Sequence, residues 1–151
     1  MYLTNWRGVT MTSPVSFARL SESVILLENS VRAVTVDDAG AVVTFSGIVR
    51  NHDSGRAVTR LEYEAHPTAG DTLQSIASSV AADFAGARVA IEHRTGMLEV
   101  GDLALACAVS SAHRGDAFAA CARLVDEVKA QVPIWKLQHF ADGTTEWVGS
   151  L

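Results

Sequence analysis

The stretch Leu103–Phe140, LALACAVSSAHRGDAFAACARLVDEVKAQVPIWKLQHF, changes its apolar period twice, and those changes decide the fold. Its first nine residues alternate, with Leu103, Leu105, Cys107 and Val109 on one face and Ala104, Ala106 and Ala108 on the other. A period of two belongs to a strand, and the face of small residues lets another element pack close. From about Arg114 to Ala130 the spacing becomes helical, with Ala117, Phe118, Cys121, Leu124, Val125 and Val128 as the apolar stripe. Pro133 ends that helix. Ile134–Phe140 and Glu146–Val148 then read as a closing hairpin around Asp142-Gly143.

Working outward, Arg88–Arg94 is a strand that reaches Leu103 through the turn Gly96–Gly101. Pro67 precedes a helix over 69–85, with Leu73, Ile76, Ala77, Val80 and Phe84 on one stripe. Val58–Glu64 alternates as a strand, with Val58, Arg60, Glu62 and Glu64 on one side and Thr59, Leu61 and Tyr63 on the other. Asn51–Arg56 is a polar turn or mobile loop, and Ala41–Val49 is a β-branched, buried strand. A short strand over 15–19 and a helix over Ser21–Val31 complete the order β-α-β-β-α-β-β-α-β-β. That order predicts an α+β fold with a mostly antiparallel sheet. Residues 1–14, with a second Met at position 11, read as a flexible extension, and 15–151 as one domain.

Composition narrows the function. A chain of 151 residues with 48% hydrophobic and 19% charged residues can bury one core and is not a disordered segment. A net charge of -5 argues against a bulk nucleic-acid binder, though not against a local pocket for a small anion. No apolar run suits a membrane span or a secretory leader, so a cytoplasmic protein is expected. Cys107 and Cys121 lie on apolar faces and read as buried thiols. The five histidines show no HxH or HxxxH spacing, and there is no phosphate-binding glycine loop. Neither a metal nor a resident cofactor is expected. The Glu62/Glu64 pair reads as a solvated strand face rather than an acid/base dyad.

Three basic clusters remain. Arg50-Asn51-His52 follows a buried strand. Ser110-Ser-Ala-His113-Arg114 spans a strand-to-helix junction, where free N–H groups and the helix dipole favour an anion; a helix cap followed by a solvated arginine would also produce this pattern. The third cluster is Lys129-Ala-Gln-Val-Pro133-Ile-Trp135-Lys136. A lysine in a last helical turn is favoured by the dipole without any catalytic purpose. Yet ten of the twelve basic residues are Arg, and the only two Lys flank this proline turn. Retained ammonium groups suggest a need for a group whose pKa can shift, which arginine cannot supply.

Together, FSGIVRNHDSGRAVTRLEYEAH (45–66), IEHRTGMLEVGD (91–102), VSSAHRGDAFAACARLVDEVKAQVPIWK (109–136) and EWVG (146–149) resemble the large, catalytic subunit family of molybdopterin synthase. The resemblance covers roughly residues 15–149. It implies an α/β hammerhead-type fold with an additional antiparallel subdomain, and a sulfurtransferase of molybdenum-cofactor biosynthesis. Such enzymes act on cyclic pyranopterin monophosphate and add the two sulfurs of the dithiolene. The sulfur comes from the C-terminal Gly-Gly thiocarboxylate of a small ubiquitin-like subunit. Two large subunits form the central dimer of a heterotetramer.

The resemblance also places the family's functional positions on the clusters above. Ile48, Val49 and Arg50, His113 and Arg114, and Leu137 and Gln138 match substrate-binding positions; Lys129 and Lys136 match the catalytic lysines. One departure stands out. The family usually continues Trp-Lys with a second basic residue and a glutamate, where this chain has Leu137 and Gln138. A paralogue that binds the small subunit or the pterin without turnover is the alternative this departure suggests.

Overall fold

The computed structural model describes residues 2–4 and 10–149. Within the expected extension, β1 (Tyr2–Thr4) and β2 (Thr10–Thr12) pair antiparallel; Met1 and residues 5–9 lie outside the described residues. The chain continues through β3 (Val15–Ser21), α1 (Leu27–Val34), β4 (Ala41–Ile48), β5 (His52–Asp53) and β6 (Arg56–Ala65). It then forms α2 (Ala69–Asp83), β7 (Arg88–Arg94), β8 (Gly96–Glu99), β9 (Leu103–Ser111), α3 (Arg114–Gln131), β10 (Ile134–Phe140) and β11 (Thr145–Val148).

Two sheets organise these elements. The first runs β3-β7-β9-β4, antiparallel except for the parallel β3–β7 pair. Leu105, Cys107 and Val109 of β9 join Val89 and Ile91 of β7 in the main core, under the buried stripes of α2 and α3. On the opposite face Ala90 and Ala108 leave room for α1, which packs Val34 against them. The small-residue face of β9 therefore admits a helix, as its alternation predicts. The second sheet runs β11-β10-β6-β5, with β8 on the same edge of β6 as β5. Its core is Val49, Val58, Leu61, Leu98, Ala104 and Phe140. Val49 and Ala104 come from the ends of β4 and β9, so the two sheets meet there.

This is the expected α+β, mostly antiparallel architecture, with four local corrections. The first helix is Leu27–Val34 rather than Ser21–Val31: β3 runs on to Ser21, held beside β7 by pairing of Ser21 with Arg94 and a bond from the Thr95 N–H to the Ser21 carbonyl (2.8 Å). Strand pairing overrides the local helical spacing. Phe118 is not in the core but 61% exposed, because the buried line of α3 runs through Ala117, Ala120, Cys121, Leu124, Val125 and Val128. Val58 and Leu61 are both buried, although simple alternation puts them on opposite faces. A bulge reconciles them: β10 pairs His139 with Arg60 but Phe140 with Val58, leaving Thr59 as an extra residue. Finally, Gly96–Glu99 in the expected turn forms a strand against β6.

Candidate active site

Where the sheets meet, a cavity of about 400 Å³ opens at the C-terminal end of β4. Its wall begins with Phe45 and runs on to Arg50. Glycine fits closely at position 47: a Cβ would stand 3.2 Å from Leu105 Cβ and 3.3 Å from the Phe45 ring, tighter than ordinary contact. Lys129 enters from the last turn of α3, where its ammonium lies 5.9 Å from the Phe45 ring centroid. Val132 ends α3 in an extended conformation, Pro133 follows, and β10 carries the chain back beside β6. That reversal sets Lys136 opposite Tyr63, and both line the same cavity as Lys129.

The electrostatics follow from this enclosure. Burial holds Lys136 below the usual lysine range; Arg50 and Lys129 push the same way, and Asp53 opposes them. His93 of β7 is 2% exposed, and burial takes its pKa down to about 4 against a hydrogen bond with the Arg94 carbonyl. That bond, 2.7 Å from Nδ1, places the proton on Nδ1, because a carbonyl only accepts. His93 therefore presents neutral Nε2 as an acceptor. Tyr63, its edge-on neighbour, is pushed up by burial.

The cavity thus brings together Ile48, Val49, Arg50, Lys129 and Lys136 of the expected residues. It does not include His113 and Arg114. They begin α3, whereas Lys129 lies fifteen residues along it, a separation of roughly 22 Å at helical rise. His113 occupies the N-cap position without a side-chain capping bond, so it is not a conventional cap. Leu137 pairs with Glu62 and Trp147 on the other face of β10, away from Lys136. Gln138 is buried on the Lys136 side, and its side chain helps hold the Asp53 carboxyl below the usual carboxylate range. Among the described residues no cluster of His, Cys, Asp or Glu is arranged to hold a metal, and no helix is long and apolar enough to cross a membrane.

Sequence reasoning missed Tyr63, His93 and Asp53. The available signal for His93 was a polar residue continuing the apolar face of Val89 and Ile91 in β7. Tyr63 interrupts a charged strand. Asp53 gave no signal, since beside Arg50, three residues away, the groups that act on it are Gln138 and Lys136 of sequence-distant β10.

Comparison with known proteins places this geometry. Residues 20–131 match the model of the family described as MoaE protein. The chain is 40% identical over 134 residues to the molybdopterin synthase catalytic subunit 1 of Mycobacterium tuberculosis, covering 88% of this chain and 90% of that one. It is 39% identical over 131 residues to the molybdopterin synthase catalytic subunit of Bacillus subtilis, covering 86% and 83%. The crystal structure of molybdopterin synthase from Staphylococcus aureus superposes with a TM-score of 0.81 at 36% identity, over 89% of this chain and 97% of that one. The cavity with its two lysines therefore sits in a chain that belongs to the MoaE family.

Proposed function

We propose that this chain is the catalytic subunit of a cytoplasmic molybdopterin synthase. It transfers two sulfurs from the C-terminal thiocarboxylate of a small ubiquitin-like subunit to cyclic pyranopterin monophosphate, forming the dithiolene of molybdopterin. The observation that carries this reading is the convergence of Lys129, Lys136 and Arg50, from three separate elements, on one cavity. Its volume is in the range of small-molecule sites. Both the thiocarboxylate and the substrate phosphate are anions, and three cations in a partly desolvated space suit them.

The roles follow from position. Arg50, at the mouth, holds the substrate phosphate with Ile48 and Val49 as the adjoining wall. Lys129 and Lys136 meet the thiocarboxylate, offset its charge, and move protons as the cyclic phosphate opens and sulfur adds. Lys136 is suited to carry the proton, because burial lowers its pKa toward neutrality. Leu137, facing away, contributes only backbone, and Gln138 acts from behind Lys136. Residues 15–151 act as one domain.

His113 and Arg114 serve the cavity of a second copy. β4 is an edge strand with Val42 and Ile48 exposed on it, which is an invitation to pair. Its Ala41 end pairs with Ser111, two residues before His113, and its Ile48 end lies two residues before Arg50. A two-fold axis through the middle of β4 sets one copy's His113 and Arg114 beside the other copy's Arg50. The resulting dimer is the centre to which two small subunits attach.

The decisive experiment is single-turnover conversion of cyclic pyranopterin monophosphate with thiocarboxylated small subunit. One molybdopterin per two thiocarboxylates supports the synthase. Tight binding of the small subunit without product establishes the non-catalytic paralogue instead.

A further inference from the structure

Lys129, Lys136 and Arg50 bring three positive groups to the cavity, and no acidic residue is among its lining. The groups whose charges act on Lys136 are Arg50 after β4, Lys129 of α3 and Asp53 of β5; Tyr63 of β6 and neutral His93 of β7 share the cavity with it, and the β11 residue opposite it is apolar Val148. Asp53 is the one negative charge in that set.

Its position is built. Asp53 and Arg56 are paired across a hairpin whose two turn residues, Ser54 and Gly55, have φ of 50° and 77°. Two left-handed residues make the tight turn that matches strand twist, so Asp53 stands on a short, defined ribbon. Arg50 Nη2 donates to Asp53 Oδ1 at 3.0 Å. From β10 the side chain of Gln138, 2% exposed, acts on the same carboxylate and helps hold its pKa below the usual range. The Gln138 Oε1 is buried without a hydrogen-bond partner.

We propose that Asp53 is a positioning residue of the synthase site, its carboxylate fixing the Arg50 guanidinium and standing as counter-charge to the Lys136 ammonium, on a hairpin that faces Gln138 of β10. This assignment rests on the synthase reading above and names a residue beyond it. It also answers the departure at positions 137 and 138: the carboxylate absent from β10 stands instead on the β5–β6 hairpin, from which its charge acts on Lys136 without a direct ion pair. Without Asp53, three like charges repel one another in the empty cavity, Arg50 loses its orientation, and Lys136 gives up its proton more readily.

The test compares the full chain with Asp53→Asn and with the double variant Asp53→Asn/Gln138→Glu, which moves the carboxylate onto β10 two residues from Lys136. Two readouts are taken. The first is the titration of the lysines after reductive ¹³C-methylation, followed by NMR; with only Lys129 and Lys136 in the chain, a Lys129→Arg sample assigns the signals. The second is kcat/KM against pH with the thiocarboxylated small subunit. Asp53→Asn lowers the Lys136 midpoint, moves the alkaline limb of turnover to lower pH, and reduces kcat/KM about tenfold, the loss expected for one charge-assisted hydrogen bond. The double variant recovers both. An unmoved Lys136 midpoint in folded Asp53→Asn overturns the assignment, as does a folded double variant no better than the single one. The titration needs no turnover, so a parent chain that makes no molybdopterin overturns the synthase reading alone.

Discussion

Tyr63 and His93 meet edge-on at the cavity wall, their ring centroids 5.0 Å apart and their planes at 78°. The contact shields the imidazole from water, and that burial takes its pKa to about 4. An unfolded histidine titrates near 6.5, so between those values the unfolded chain binds more protons at this residue than the folded one. The contribution to stability is fully present above pH 6.5 and is lost as the pH falls toward 4. Over that window it amounts to roughly 3 kcal/mol. Urea denaturation at pH 7 and pH 4.5 measures it, and His93→Gln should flatten the difference. An unchanged pH dependence in that variant refutes the neutral, buried histidine.

Lys129→Ala and Lys136→Ala should each lower single-turnover rates by about a hundredfold or more, the scale of a lost proton-transfer or charge-stabilising group. Circular dichroism and thermal melts should stay close to the parent chain, since neither ammonium has an ion-pair partner among the described salt bridges. Lys136→Arg keeps the charge and loses the accessible pKa. It should bind the small subunit while turning over slowly; normal turnover would remove Lys136 from proton transfer.

Sharing of the site between copies predicts complementation. Lys129→Ala and Arg114→Ala homodimers should both be nearly inactive. After subunit exchange about half of the dimers are mixed, each with one intact composite site, so activity should recover to roughly a quarter of the parent value. No recovery in a demonstrably mixed sample would place His113 and Arg114 outside the site.

Gly47→Ala should be costly. The added methyl meets Leu105 and the Phe45 ring between strands that cannot separate freely. Overpacking of this kind costs about 1–3 kcal/mol, a fall in Tm of roughly 3–8 °C for a chain of this size. Gly70→Ala in the first turn of α2 meets nothing within 4 Å and should be neutral or stabilising. Equal melting temperatures for the two variants would contradict the close approach at Gly47.

Much of this fold is legible where one segment carries its own periodic signal. β7, β9 and β10 have the bounds their alternation predicts, because each is buried on at least one face along its whole length. Legibility fails where a distant segment decides. Ser21 opens a helical apolar spacing yet pairs with Arg94, and Thr59 leaves the alternation only because β10 shifts register opposite it. At the site, Lys129 and Lys136 announced themselves through residue choice in an arginine-rich chain. Asp53, Tyr63 and His93 could not, since an acid, a phenol and an imidazole acquire their character here from burial and from partners far away in sequence.

The reversal at Pro133 makes the interval between the two lysines a ruler. Lys129 is fixed by the helix that precedes the turn, Lys136 by the pleat that follows it, and a strand's faces interchange with every residue of slippage. Deleting or inserting a single residue between Gln131 and Ile134 would leave α3 in place while rotating the whole of β10 by half a turn, bringing Trp135 or Leu137 into the cavity and carrying Lys136 out to solvent. Natural variation in length is therefore closed to this short segment, however freely its side chains change. Loop-grafting in such an enzyme would have to leave the seven-residue step untouched.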